Sequence, residues 1–229
     1  MMKRSIGLLL CILLFVPALH ACAKTDVLYT VPDGSRTISV LGGNGRANYL
    51  SVRQDGSEIW RERIHTDKAV GTRDGTYGLR VEDVNFDGRQ DLIIAVGAQD
   101  DITTEQVYLQ QTDGSYRLCG DLDGKCNLSL DTRQELVFAF SREDRTERDA
   151  ETDRTYHVKT DTATAYSWQG SALIPRRYVS LVYYGNSDLY CYSVADYDAE
   201  LGTWKDADDS WFTPAEAETQ TFEGLYYFK

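Results

Sequence analysis

Short runs of β-branched and aromatic residues recur along the chain, and almost none shows the apolar period of about 3.6 residues that is typical of an amphipathic helix. Asp-Gly pairs stand between several of these runs, and both residues tolerate the positive φ of hairpin turns. The pattern predicts an all-β fold of antiparallel meanders, arranged as a small β-propeller-like structure or, alternatively, as an irregular sandwich. The clearest runs are TISVL, DLIIAVGA, ELVFAFS, YVSLVYYG and DLYCYSV.

Two segments depart from the strand pattern. Residues 214–220, PAEAETQ, predict a short helix, because Thr213 can cap it and Pro214 suits its first turn. Residues 141–154, SREDRTERDAETDR, hold four arginines and six acidic residues. Such a run predicts a solvated hairpin loop or a disordered excursion, and the alternative is a loop that contacts a partner.

The first 21 residues predict a secretory signal segment. Lys3 and Arg4 precede the apolar run IGLLLCILLFVPAL, which is too short to span a bilayer comfortably. Residues 22–229 contain no linker rich in Pro, Gly or Ser and are therefore expected to form a single β domain.

The end of the signal segment allows two kinds of processing. Leu19-His20-Ala21-Cys22 resembles a bacterial lipobox, which predicts lipidation of Cys22 and a periplasmic or outer-membrane-anchored lipoprotein. Ala21-Cys22-Ala23 also suits a peptidase that prefers small residues, and an unmodified chain would then start at Lys24.

The remaining cysteines would lie in an oxidising compartment. Cys119 and Cys126 bracket GDLDGK, whose Asp-Gly pair is a turn signal, so a disulfide between them is predicted. Cys191 is then a small buried hydrophobe or, if Cys22 is not lipidated, the partner of Cys22 in a second disulfide.

The chain is strongly acidic. Its formal net charge is −12, and removal of Lys3 and Arg4 makes it −14. Such a surface argues against binding to nucleic acid and against electrostatic docking on anionic lipid. It favours a basic partner or bound cations.

Residues 83–91 have the spacing D-x-N-x-D-G-x-x-D, which is typical of oxygen-rich calcium loops. Calcium suits these hard donors, and a glycine at position 6 permits the sharp turn that gathers them. The alternative is a set of side-chain-to-backbone turns without a metal. The predicted ligands are Asp83, Asn85, Asp87, Asp91 and the backbone carbonyl of Arg89.

The loop differs from an EF-hand, because Ile94 occupies position 12 and an apolar, strand-like run follows. This setting resembles the FG-GAP calcium loops of integrin-type β-propellers. The chain also contains the runs EQVYLQQTDGSYRL and TAYSWQGSALIPRRYVSLVYY. Through these runs and the loop, it resembles a family of small exported bacterial proteins that have one FG-GAP/VCBS-like calcium loop. Some members of that family are periplasmic immunity proteins that inhibit lysozyme-like peptidoglycan hydrolases. The resemblance implies a compact β-propeller-like fold and a calcium site at the five residues above.

No catalytic signature accompanies the loop. His65 and His157 lie beside no recognisable nucleophile motif, so a non-enzymatic protein is expected. A monomer is also expected. The leading hypothesis is a calcium-stabilised protein-binding domain that inhibits a lysozyme-like hydrolase. The alternative is a cell-envelope adhesion or carbohydrate-binding lipoprotein, in which Trp168, Trp204 and Trp211 would stack on sugars.

Overall fold

The computed structural model describes residues 25–67, 70–71, 74–99 and 102–220. The signal segment and the lipidation site predicted at Cys22 lie outside these ranges. Within them, no helix is both long and apolar enough to cross a membrane.

The first sheet is an antiparallel meander in the order β1-β2-β3-β4. Both residues of Asn44-Gly45 and of Asp55-Gly56 have positive φ, as a type I′ hairpin turn requires. The turn signals in the sequence therefore fix two of its connections. The strands are β1 (Asp26–Asp33), β2 (Arg36–Gly43), β3 (Arg46–Gln54) and β4 (Ser57–Arg63).

The second sheet has eleven strands and follows the path β14-β13-β12-β11-β10-β9-β7-β6-β5, with β8 paired to β7 and β15 paired to β13. Its central strands are β5 (Arg80–Glu82), β6 (Asp91–Gln99), β7 (Ile102–Gln110), β8 (Tyr116–Leu118) and β9 (Cys126–Asp131). Its outer strands are β10 (Leu136–Arg148), β11 (Thr155–Gln169), β12 (Ala172–Tyr184), β13 (Leu189–Asp198), β14 (Thr203–Trp204) and β15 (Asp208–Phe212).

Strands β6 and β7 are covered on both faces. Leu92 and Tyr108 pack into a core shared with the first sheet, whereas Ile93 and Val107 pack into a second core with residues of β9 and β10. This is why β6 contains a continuous apolar run rather than an alternating one. The all-β antiparallel prediction is confirmed, and the two packed sheets correspond to its sandwich alternative.

The helix predicted near the C-terminus is confirmed over Pro214–Thr219. Thr213 and Glu216 form a capping box, in which each side chain accepts a hydrogen bond from the backbone of the other residue. The charged run 141–154 lies in a hairpin, in agreement with the hairpin predicted for it. Its first part is not loop but the end of β10, which pairs with β11 as far as Arg148.

The predicted disulfide between Cys119 and Cys126 is wrong, because both cysteines are free thiols. The Cys119 backbone amide donates to the Val107 carbonyl at 2.8 Å, whereas Cys126 pairs with Thr104. Val107 and Thr104 are an odd number of residues apart on β7, so their side chains project to opposite faces. The two thiols therefore lie on opposite sides of the sheet. Cys191 is a free, buried thiol, in agreement with the first of its two interpretations.

Candidate metal centre

The candidate loop joins two paired strands, as the sequence predicted. It begins after Glu82, the last residue of β5, and ends at Asp91, the first residue of β6. Phe86 and Gly88 have φ angles of 58° and 84°. Gly88 adopts this conformation without a Cβ penalty, so it allows the reversal that folds the loop back on itself.

Asp83 accepts two backbone hydrogen bonds from the opposite side of the loop. Its Oδ1 accepts from the amide of Asp87 at 3.0 Å, and its Oδ2 accepts from the amide of Gly88 at 2.8 Å. The Asp83 carboxylate therefore holds the turn closed.

Asp87 is held by side chains as well as by backbone. Its Oδ1 accepts from the Arg89 amide at 2.9 Å, and its Oδ2 accepts from Asn85 Nδ2 at 2.7 Å. The same Oδ2 contacts the Arg89 guanidinium, whose Nε donates to the Gln110 carbonyl at 3.0 Å. Arg89 thus supplies one positive charge to a loop that contains three carboxylates.

Asp91 is completely buried. It accepts hydrogen bonds from the amides of Val84 at 2.9 Å and Gln110 at 2.7 Å. Burial raises the pKa of Asp91 to about 6, the negative charge of Asp87 adds to this increase, and the backbone hydrogen bonds oppose it. A cation beside Asp91 would offset the unfavourable burial of its charge.

Trp168 anchors the loop to the rest of the sheet. Its Nε1 donates to the Val84 carbonyl at 2.9 Å, and its ring, like that of Phe86, packs against the second core. Sequence reasoning missed this role and that of Gln110, because both depend on contacts between segments far apart in the chain.

The cavity next to the loop has a volume of about 700 Å³. Asp83 and Phe86 line one side of this cavity, and Leu130 and Glu135 are among the residues that line the remainder. A cation from solvent could therefore approach Asp83 from this side.

The residues fit calcium in donor type, because each predicted side chain carries a hard oxygen, and all of them belong to one loop. Their present contacts are those of side-chain-to-backbone turns, and the described ranges contain no cluster of three or more His, Cys, Asp or Glu residues arranged to hold a metal. Calcium binding would require Asp87 to exchange its contact with Arg89 for the ion.

The three tryptophans of the alternative hypothesis do not form one cluster. Trp168 is partly buried beside the loop. Trp204 and Trp211 lie on β14 and β15 and are exposed by 36% and 55%. Only these two could contact a partner with their rings.

No protein family model matches the chain, and no curated protein matches it significantly. Among solved structures, the chain is similar to a protein described as a "Xanthomonas Type IV Secretion System related protein". The TM-score is 0.46 and the sequence identity is 11%, over 82% of this chain and 97% of that chain.

Proposed function

We propose that this chain is an exported, calcium-stabilised protein-binding domain that inhibits lysozyme-type peptidoglycan hydrolases. The observation that carries the proposal is the loop 83–91, in which the completely buried Asp91 shares one turn with two further carboxylates. Calcium would be held by the side chains of Asp83, Asn85, Asp87 and Asp91 and by the carbonyl of Arg89. A bound ion would add positive charge to that of Arg89 and so offset the repulsion among these carboxylates.

The charge of the chain supports a basic partner. Lysozyme-type hydrolases are usually basic, and a domain with a net charge of −14 after loss of the signal segment attracts such enzymes over a long range. The acidic surface also disfavours nucleic acid and anionic lipid.

The test is lysis of purified peptidoglycan by a panel of lysozyme-type hydrolases, with and without the mature protein, in calcium and in chelator. We expect inhibition at a stoichiometric ratio, stronger in calcium because the loop supports the fold. A folded, calcium-loaded protein that inhibits no member of the panel would contradict the hydrolase proposal.

The second candidate function is carbohydrate binding at the cell envelope. It is favoured by the exposure of Trp204 and Trp211, because exposed aromatic rings can stack on sugars. Its test is binding of a soluble glycan such as chitohexaose, with loss of binding when Trp211 is replaced.

A further inference from the structure

Five aromatic rings lie on one face of the sheet formed by β12–β15. On β12, Tyr178 and Tyr184 share a face because they are an even number of residues apart. Trp211 of β15 pairs with Cys191 of β13, which in turn pairs with Val182, so its ring lies on the same face. We call this the acidic-aromatic face; it comprises Tyr178, Tyr184, Tyr197, Trp204, Asp209 and Trp211.

The rings of this face hold one another in place. Trp204 packs edge-on against Tyr178 and Tyr197, with ring centroids 4.8 Å and 5.1 Å apart. Trp211 lies 5.6 Å from Tyr184. An aromatic surface arranged in advance loses little conformational entropy when a partner binds.

Small side chains lie beneath the rings. Ser180, Cys191, Ser193 and Ala195 are all buried, and their register on β12 and β13 places them on the same face as the rings. The aromatic rings therefore cover the small residues and still present area to solvent, which is greatest at Trp211.

The strands that form this face are acidic together with their connections. Residues 172–212 hold seven acidic residues and three basic residues, a net charge of −4. Asp209 pairs with Ser193 of β13 and so lies among the rings. Burial raises the pKa values of Tyr178 and Tyr184, and the Asp209 charge raises both further, which agrees with a carboxylate close to these rings.

We propose that the acidic-aromatic face docks the basic surface of another protein, whose Arg and Lys side chains stack on Trp211 and Trp204 and pair with Asp209. Guanidinium groups combine these two contacts well, because they are planar and always charged. The inference rests on the proposed function in one respect, that the partner is a protein.

Other occupants fit this surface less well. A second copy of the chain would bring two acidic faces together, each with Asp209 among its rings, and an anionic membrane would be repelled in the same way. A neutral glycan could stack on Trp211 but would leave the excess of negative charge without a counterpart.

The test is calorimetric titration of the mature protein, expressed from the full sequence, with a hexa-arginine peptide and with chitohexaose. In W211A/D209N we expect the Kd for hexa-arginine to rise about tenfold, because hot-spot aromatic and charged groups dominate such contacts. The matched control is V27A/D26N, which removes an exposed apolar residue and a carboxylate from β1 of the first sheet; its Kd should stay within about twofold. If W211A/D209N does not fold, the single variants W211F and D209N replace it.

Two results would overturn the inference. One is a hexa-arginine affinity that is absent, or that falls equally in the variant and the control. The other is chitohexaose binding that requires Trp211 while hexa-arginine binding does not, which would assign the face to sugars. Hydrolase inhibition is measured separately. Inhibition that survives in W211A/D209N would support the proposed function and show that this face is not the docking surface. Hexa-arginine binding without any hydrolase inhibition would support the docking surface and contradict the proposed function.

Discussion

At the scale of the single residue, Glu105 is a buried carboxylate that ties three strands together. Its Oε1 accepts from Arg80 of β5 at 3.0 Å, and its Oε2 accepts from the Leu128 amide of β9 at 2.6 Å. Burial raises the pKa of Glu105, and the positive charge of Arg80 and the Leu128 amide oppose this without cancelling it. The folded protein therefore holds the proton more tightly than the unfolded chain does.

This sign predicts how the variant E105Q responds to pH. The contribution of Glu105 to stability is complete below the usual pKa of 4.5 and is lost as the pH rises through its raised value in the folded protein. Glutamine stays neutral, so the destabilisation of E105Q relative to wild type should shrink between pH 4 and pH 8, measured by urea unfolding. The control E151Q, in an exposed turn, should show no such change. A destabilisation of E105Q that is constant or grows with pH would contradict the assignment.

Individual residues were predictable from the sequence where their roles are local. Asp83, Asn85, Asp87 and Asp91 lie in one loop because all of them fall within nine residues, whereas their role as calcium ligands stays a prediction. The Cys119–Cys126 pairing failed because both cysteines are positioned by β7, a strand outside the segment between them. Contacts made through a third element leave no signal in local spacing.

At the scale of elements, Trp168 connects β11 to the loop before β6. The variant W168F keeps an aromatic ring in the second core but loses the hydrogen bond to Val84. We expect a loss of about 1–2 kcal/mol in the free energy of unfolding, because the buried Val84 carbonyl loses its donor. The control W211F, at a ring that is 55% exposed, should change stability by about 0.5 kcal/mol or less. Equal losses in the two variants, measured by urea unfolding, would show that the hydrogen bond has no special role.

A strand with one covered face can be predicted from the alternation of apolar and polar residues along it, which is why the sequence predicts most of the meander. The outer half of β10, residues 141–148, does not follow from this alternation, since every residue there is polar. Pairing with β11 holds it instead, in a register that is continuous from Leu136 to Arg148, with cross-strand ion pairs such as Arg142–Asp161. Periodicity reports burial, so it cannot distinguish such a strand from a solvated loop.

At the scale of the whole molecule, the succession of strand-like runs and turn signals predicted the fold class but not the arrangement of the sheets. The two cores meet on opposite faces of β6 and β7, and that placement depends on contacts between the first sheet and strands far along the chain. The net charge is also a property of the whole molecule, and only the structure shows where the charged residues lie. Residues 188–220, with a net charge of −8, belong to β13–β15 and the C-terminal helix, at the end of the sheet away from residues 83–91.

Calcium should stabilise the entire domain, because β5 and β6 on either side of the loop belong to the sheet that forms both cores. A ligand that binds only the folded state at 100 times its Kd adds about 2.7 kcal/mol. For a domain of this size we expect the melting temperature to be about 5–10 °C higher in calcium than in chelator. In D87N the turn keeps its acceptor for the Arg89 amide but loses a charge, so the increase should be smaller. D121N, an exposed carboxylate beside the Cys119 turn, should retain the full increase. Identical wild-type melting temperatures in calcium and in chelator would leave residues 83–91 as a turn closed by its own hydrogen bonds and by Arg89.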